Sequence, residues 1–195
     1  MTTRIAWLIG FDGFADWQTA LACREIRRKD GFTVRLAAPT REAITTASGL
    51  VVRPQATLAD VEPDGSCLLM LPGGPLWEER QTPEAVAFAR AFREANIPIA
   101  AICTGTLVPA RAGLLSGVRH TSNGLAWLKS TVPEYDGEAR YVNVLDVSET
   151  GMITANAAGY VDYAYEVIKV LELLDEPERR AWYRLHREGV LAPGS

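Results

Sequence analysis

A chain of 195 residues, 48% of them apolar and 23% charged, is long enough to bury one substantial core and is read as one globular domain over residues 1–195. Its net charge of −4, with 20 Lys and Arg spread along the chain, argues against a nucleic-acid or anionic-membrane partner. No apolar run reaches the roughly 18 residues of a membrane span, and no charged leader precedes one, so a cytoplasmic protein is expected. Cys23, Cys67 and Cys103 are odd in number and widely spaced, and only two histidines, His120 and His186, accompany them. Neither a disulfide framework nor a metal centre is expected, and no cofactor.

The first element, Arg4 to Gly10, is a nearly continuous apolar run of the kind found in a parallel strand buried on both faces. A helix from about Ala15 to Lys29 follows, expected to turn Trp17, Leu21 and Ile26 inward and to stop at Asp30-Gly31. Its Arg24, Arg27, Arg28 and Lys29 form a solvated face. Thr33 to Ala38 is a second strand, Thr45 to Pro54 a peripheral strand or hairpin arm, and Leu58 to Val61 a single helical turn. Cys67 to Leu71 is a fully apolar strand running into Pro72-Gly73-Gly74-Pro75. Thr82-Pro83-Glu84 carries the cap, proline and early acid of a helix start.

Residues Ile97 to Leu115 organise the rest. The apolar run Pro98 to Ile102 stops at Cys103-Thr104-Gly105-Thr106, and a helical pattern, Leu107 to Leu115, begins: strand, sharp turn, helix. A residue at such an elbow is pushed out above a parallel sheet, under a helix N-terminus that favours an anion. Cysteine is the residue that gains most there, because its thiolate is the reactive form. A buried structural cysteine at a strand end is the alternative reading. Gly105 permits the turn.

Beyond the elbow, Gly113 and Gly117 bound the helix, and Arg119 to Asn123 is a polar strand or loop before a short helix at Leu125 to Lys129. Arg140 to Val147 and Gly151 to Ala155 suggest two antiparallel strands added at the sheet edge. A strong amphipathic helix carries Val161, Ala164, Val167, Ile168, Leu171 and Leu174, and a charged helix, Pro177 to Glu188, closes the chain. Alternating strands and helices predict an α/β fold: a flavodoxin-like, doubly wound parallel sheet with helices on both faces and a nucleophile-elbow cysteine. Ligands in such a fold meet the carboxyl ends of the strands, where the turns at Gly13–Gln18, Leu71–Gly74 and Cys103–Gly105 should converge.

Leu-Pro-Gly-Gly at 71–74, Ala-Ile-Cys-Thr-Gly at 101–105, Ala-Gly-Leu-Leu-x-Gly at 112–117 and Thr-Ala-Asn-Ala at 154–157, in that order and spacing, resemble the ThiJ/PfpI superfamily. This is the class I glutamine amidotransferase-like fold shared with intracellular peptidases and a parkinsonism-associated deglycase. Phe14-Ala15-Asp16-Trp17-Gln18 is similar to a bacterial subgroup with Phe-Ala-Asp-Trp-Glu. The resemblance implies Cys103 as nucleophile, with backbone N–H groups near Gly73, Gly74, Thr104 and Gly105 as an oxyanion and substrate site, and a homodimer.

Three positions depart from the family pattern. Thr104 stands where peptidase-like members have histidine, Asn123 stands where many have another, and Gln18 takes the place of the usual acid. His120, three residues before Asn123, and Asp16, the nearest carboxylate to Gln18, are the remaining titratable candidates. Asp16 reads as a helix-start acid, since positions two apart on a helix do not share a face. Three functions follow. Cys103 could attack a small amide, isonitrile or reactive-carbonyl substrate as a hydrolase or lyase. It could instead oxidise to a sulfenate or sulfinate in an oxidative-stress protein, which needs no base. A binding module using the Trp77 and Trp127 regions ranks last. Glutamine amidotransfer is not expected without a clear Cys-His-Glu set.

Overall fold

The computed structural model describes residues 3–79 and 82–191. In chain order the strands are β1 (Arg4–Ile9), β2 (Phe32–Ala38), β3 (Ile44–Thr45), β4 (Val51–Val52), β5 (Ala56–Thr57), β6 (Ser66–Leu71), β7 (Ile99–Ile102), β8 (Asp146–Glu149) and β9 (Met152–Ala155). The helices are α1 (Trp17–Arg28), α2 (Leu76–Glu79), α3 (Pro83–Glu94), α4 (Leu107–Arg111), α5 (Leu125–Thr131), α6 (Tyr160–Val170) and α7 (Glu176–Tyr183). A seven-stranded sheet runs in the order β5-β2-β1-β6-β7-β9-β8, and β3 and β4 make a separate hairpin. This is the expected flavodoxin-like α/β sheet. Every pairing in the large sheet is parallel except β8 with β9. The two antiparallel strands expected at the edge are β8 and β9: β9 joins β7 in parallel, from Ile99↔Met152 to Ile102↔Ala155, and β8 pairs with β9 as the outermost strand.

Period-two alternation divides the core into two layers. Leu69 and Leu71 of β6, with Ile99 and Ala101 of β7, face Phe88 and Phe92 of α3, Leu107 and Val108 of α4 and Leu128 of α5. The residues between them, Leu68, Met70, Ala100 and Ile102, face Ala22 and Ile26 of α1 and Val161, Ala164, Val167 and Ile168 of α6. These β6 and β7 side chains are all fully buried. Each large one contributes about 2 kcal/mol through its removal from water.

Several local expectations shift. Helix α1 turns Gln18, Thr19, Ala22, Glu25 and Ile26 inward and leaves Trp17 48% exposed. The inward stripe is rotated by one residue, about 100°, from the Trp17 register, because polar Gln18 and Glu25 find buried partners: Gln18 Oε1 accepts from the Gly73 N–H and Glu25 Oε1 from Trp182 Nε1. Thr82 makes no cap hydrogen bond, and its hydroxyl is buried without a partner. After the elbow, a 3₁₀ turn over Cys103–Thr106 leads into α4, which ends at Arg111, four residues before Leu115. Gly113 at φ 71° stops it. Trp7, Trp77 and Trp182 are buried, each with its indole N–H donated, to Ser66 Oγ, Pro72 O and Glu25 Oε1 respectively. Trp77 is thus a packing residue, not a recognition surface, and half-buried Trp127 donates to Glu78 Oε1. Among the described residues no helix is long and apolar enough to cross a membrane.

Candidate active site

Strand β7 delivers Cys103 in a conformation that sequence pattern alone does not reveal. Ile102 is still extended, at φ −133° and ψ 145°, whereas Cys103 has φ 58°, a left-handed angle that costs a residue with a Cβ about 1–2 kcal/mol. Hydroxyl groups hold it: Thr106 Oγ1 donates to Cys103 O at 2.7 Å, and Ser122 Oγ lies 2.6 Å from Thr106 Oγ1. Gly105 is required by close approach, since a Cβ there would sit 2.1 Å from Leu71 O at the end of β6. The result is a half-buried thiol above the carboxyl ends of β1, β6, β7 and β9.

Two side-chain amides flank it, and backbone donors fix both. Gln18 is buried, and its Oε1 accepts from the Gly73 N–H at 2.8 Å. Gly73 lies between Gln18 and the thiol: a methyl group there would be 2.8 Å from Gln18 Oε1 and 3.0 Å from Cys103 Sγ. Asn123 is exposed, and its Nδ2 donates to Cys103 Sγ at 3.2 Å while its Oδ1 accepts from the Ala157 N–H at 3.0 Å. A backbone N–H selects the oxygen end of an amide, so the NH2 end of each is directed elsewhere, for Asn123 at the sulfur.

The glycine N–H groups expected to hold an oxyanion are already engaged. Gly73 donates to Gln18, and Gly74 donates to Thr104 Oγ1 at 2.8 Å, while that hydroxyl donates back to Gly74 O at 2.9 Å. Thr104 therefore pins the Pro72–Gly74 turn to the elbow. The first N–H groups of the 3₁₀ turn, which by position have no acceptor within it, are the donors that remain.

The titratable candidates lie apart from the sulfur. His120 is fully buried, with Nδ1 2.8 Å from Val118 O and Nε2 2.5 Å from Tyr135 OH. A carbonyl can only accept, so Nδ1 carries the proton and Nε2 accepts from the tyrosine. Burial lowers the His120 pKa against the pull of Val118 O, and burial raises Tyr135 to about 12. Both stay neutral, and neither ring nitrogen is free to serve Cys103. Asp16, immediately before α1, accepts from the Ser48 N–H at 3.2 Å. It ties the β3–β4 hairpin to the start of α1 and is not bonded to the thiol. The other cysteines are suppressed, since burial pushes Cys23 and Cys67 each up to about 11.

Sequence reasoning missed Thr106, Ser122 and Ala157. The first two are recognisable only as hydroxyl residues near the elbow, and Ala157 acts through its backbone, although it closes the Thr154–Ala157 motif. A cysteine held at positive φ between a parallel strand and a short helix, over a doubly wound sheet, defines an α/β protein of the nucleophile-elbow class. The chain belongs to the DJ-1/PfpI family, which it matches over residues 3–170.

It is 29% identical over 194 residues to the Bacillus subtilis protein named uncharacterized protease YoaZ, covering 96% of this chain and 92% of that one. It is 33% identical over 116 residues to deglycase TK1284 of Thermococcus kodakarensis, covering 59% of this chain and 69% of that one. Among solved structures, the thiJ/pfpI family protein from Bacillus anthracis superposes with a TM-score of 0.89 at 29% identity, over 97% of this chain and 93% of that one. The DJ-1 superfamily protein Atu0886 from Agrobacterium tumefaciens gives 0.87 at 30% identity, over 97% and 100%.

Proposed function

We propose that the protein is a cysteine-dependent enzyme of hydrolase or lyase type, acting on a small electrophilic substrate with Cys103 as nucleophile. The observation that carries this reading is the elbow: Cys103 at φ 58°, half-buried, its sulfur accepting from Asn123 Nδ2. The thiolate pair forms a bond to the electrophilic carbon, and the carbonyl π pair moves to oxygen, where the N–H groups at the start of the 3₁₀ turn meet the new charge. Of the amide, isonitrile and reactive-carbonyl classes, the reactive carbonyl suits the site best. Its addition step expels no amine that a general acid must protonate, and Asn123, which donates to the sulfur, cannot titrate. Water supplies the proton. Relatives named as a deglycase and a protease support chemistry of this kind.

The Asn123 donor also favours a second reading, in which Cys103 is oxidised by peroxide. The thiolate attacks one peroxide oxygen, the O–O bond breaks, a sulfenate forms and water leaves; a second equivalent gives the sulfinate. N–H donors stabilise both anions. The protein works in the cytoplasm as a single domain and as a homodimer. Exposed Trp17, Leu50 and Val51, which the Asp16–Ser48 bond gathers beside the site, support the association.

A small α-oxoaldehyde separates these readings. Consumption of the aldehyde by the wild type and not by Cys103→Ser supports turnover. Equal consumption by both proteins rejects Cys103 as nucleophile. Peroxide that adds oxygen to Cys103 in a protein inert toward the aldehyde supports the second reading.

A further inference from the structure

The Thr154–Ala157 motif ends β9 at the rim of the site, and every polar group of Asn156 is engaged there. Its N–H donates to Leu145 O at 2.9 Å, its Nδ2 to Val144 O at 3.1 Å, its Oδ1 accepts from the Ala158 N–H at 3.0 Å, and its carbonyl accepts from the Gly159 N–H at 3.0 Å. An asparagine oxygen bonded to the N–H two residues on is an Asx turn. The turn is pressed against the bend that leads into β8, since a Cβ at Gly159 would sit 2.4 Å from Leu145 O. Between the two anchored residues, the Ala157 N–H is left pointing outward, and it donates to Asn123 Oδ1.

That bond decides what the sulfur meets. Asn123 is an exposed side chain on a loop, and the last torsion of an asparagine is broad and two-fold. In one orientation it offers Cys103 two N–H donors, and in the other the lone pairs of a carbonyl. The loop and the turn share an anchor, because Thr121 Oγ1 donates to the same Val144 O that Asn156 uses.

We propose that Asn156 is a positioning residue for Cys103: its turn presents the Ala157 N–H that locks the Asn123 amide with its NH2 toward the sulfur. The proposal rests on Cys103 being the reactive thiol and assigns the Thr154–Ala157 motif a role in that reactivity.

The test is Cys103 alkylation of the full chain by limiting, uncharged iodoacetamide, read by peptide mapping. Wild type is compared with Asn156→Ala, Asn156→Ser, Asn123→Ala and the double alanine variant, each shown folded by its thermal transition. Asn156→Ala should slow Cys103 labelling about tenfold at neutral pH, the scale of one hydrogen bond to a charged group. Asn123→Ala should do the same, and the double variant should be no slower than Asn123→Ala, because a residue that acts through Asn123 has no effect once Asn123 is gone. Serine, whose hydroxyl can accept from the Ala158 N–H, should recover part of the rate, and it carries the comparison if the alanine variant does not fold. Wild-type labelling in Asn156→Ala, or a double variant slowed by the product of the two single effects, overturns the proposal. Failure of the wild type itself to label at Cys103 ahead of Cys23 and Cys67 would instead remove the functional reading beneath it.

Discussion

On one side of the 119–123 loop, His120 lies fully buried between Tyr135 and Tyr141, both ring nitrogens bonded. On the other, Asn123 faces solvent and donates to Cys103. The residue able to move a proton is enclosed and held neutral. The residue that meets the sulfur is an amide, which cannot titrate. A histidine near a cysteine in sequence is therefore weak evidence of a catalytic pair, because three residues along a loop exchange a buried face for an open one. In the proposed reading, Cys103 becomes an anion held by N–H donors, and proton transfer is left to water and substrate.

Breaking the buried side should have the largest effect. His120→Ala leaves a cavity and strands the Tyr135 hydroxyl and the Val118 carbonyl, so a loss of about 3 kcal/mol is expected in denaturant unfolding. The folded His120 pKa lies below its ordinary 6.5, so the contribution of neutral His120 is present above that pH and lost as pH falls below it. The gap between wild type and variant should narrow on acidification. The pH dependence of Cys103 alkylation should be unchanged, and a change there would put His120 back in the chemistry.

Breaking the open side should alter reactivity with little effect on stability. Asn123→Asp keeps an acceptor for the Ala157 N–H and turns a carboxylate oxygen toward Cys103, where it repels a thiolate. Cys103 alkylation at neutral pH should fall about tenfold, equivalent to ~1.4 kcal/mol, with the thermal midpoint nearly constant. A faster-reacting thiol would mean that the site needs a base.

A third polar group sharpens the contrast at smaller scale. Asp146, part-buried at the start of β8, is raised to about 6 by burial and by Glu166 and Asp162, against the pull of Lys169. Its protonated form is favoured in the fold, so the stability it contributes is complete below about pH 3.8 and lost as pH rises through about 6. Asp146→Asn should remove the strain at pH 7–8 and gain about 1 kcal/mol, after allowing for solvent screening. That is about 2–4 °C in Tm for a chain of this size. The gain should vanish near pH 4, and an equal gain at both pH values would rule out the acid as its cause.

The sheet was legible because its strands are buried on both faces: unbroken runs such as Cys67–Leu71 and Pro98–Ile102 have few other readings. The elbow was legible because such a run stops abruptly at Cys103. Helix register was less so. Gln18 and Glu25 turn inward because each meets a buried partner far away in the chain, and hydrophobic periodicity, which places Trp17 inside, carries no record of those partners. The supports of the site were hidden for the same reason. Ser122 reaches Thr106 and Ala157 reaches Asn123 across the ends of different strands, the latter through a backbone N–H that any residue but proline would supply.

The central claim is that the side chains flanking Cys103, Gln18 and Asn123, are amides that do not titrate, and the pH profile of Cys103 alkylation tests it most directly. Wild type should give a single inflection, that of the thiol, unaltered in Asp16→Asn. In Gln18→Glu a second inflection should appear, because a group that ionises then stands at Gly73 beside the sulfur. Two inflections in the wild type, or a profile abolished by Asp16→Asn and indifferent to Gln18→Glu, would contradict the account and make Asp16 the working acid.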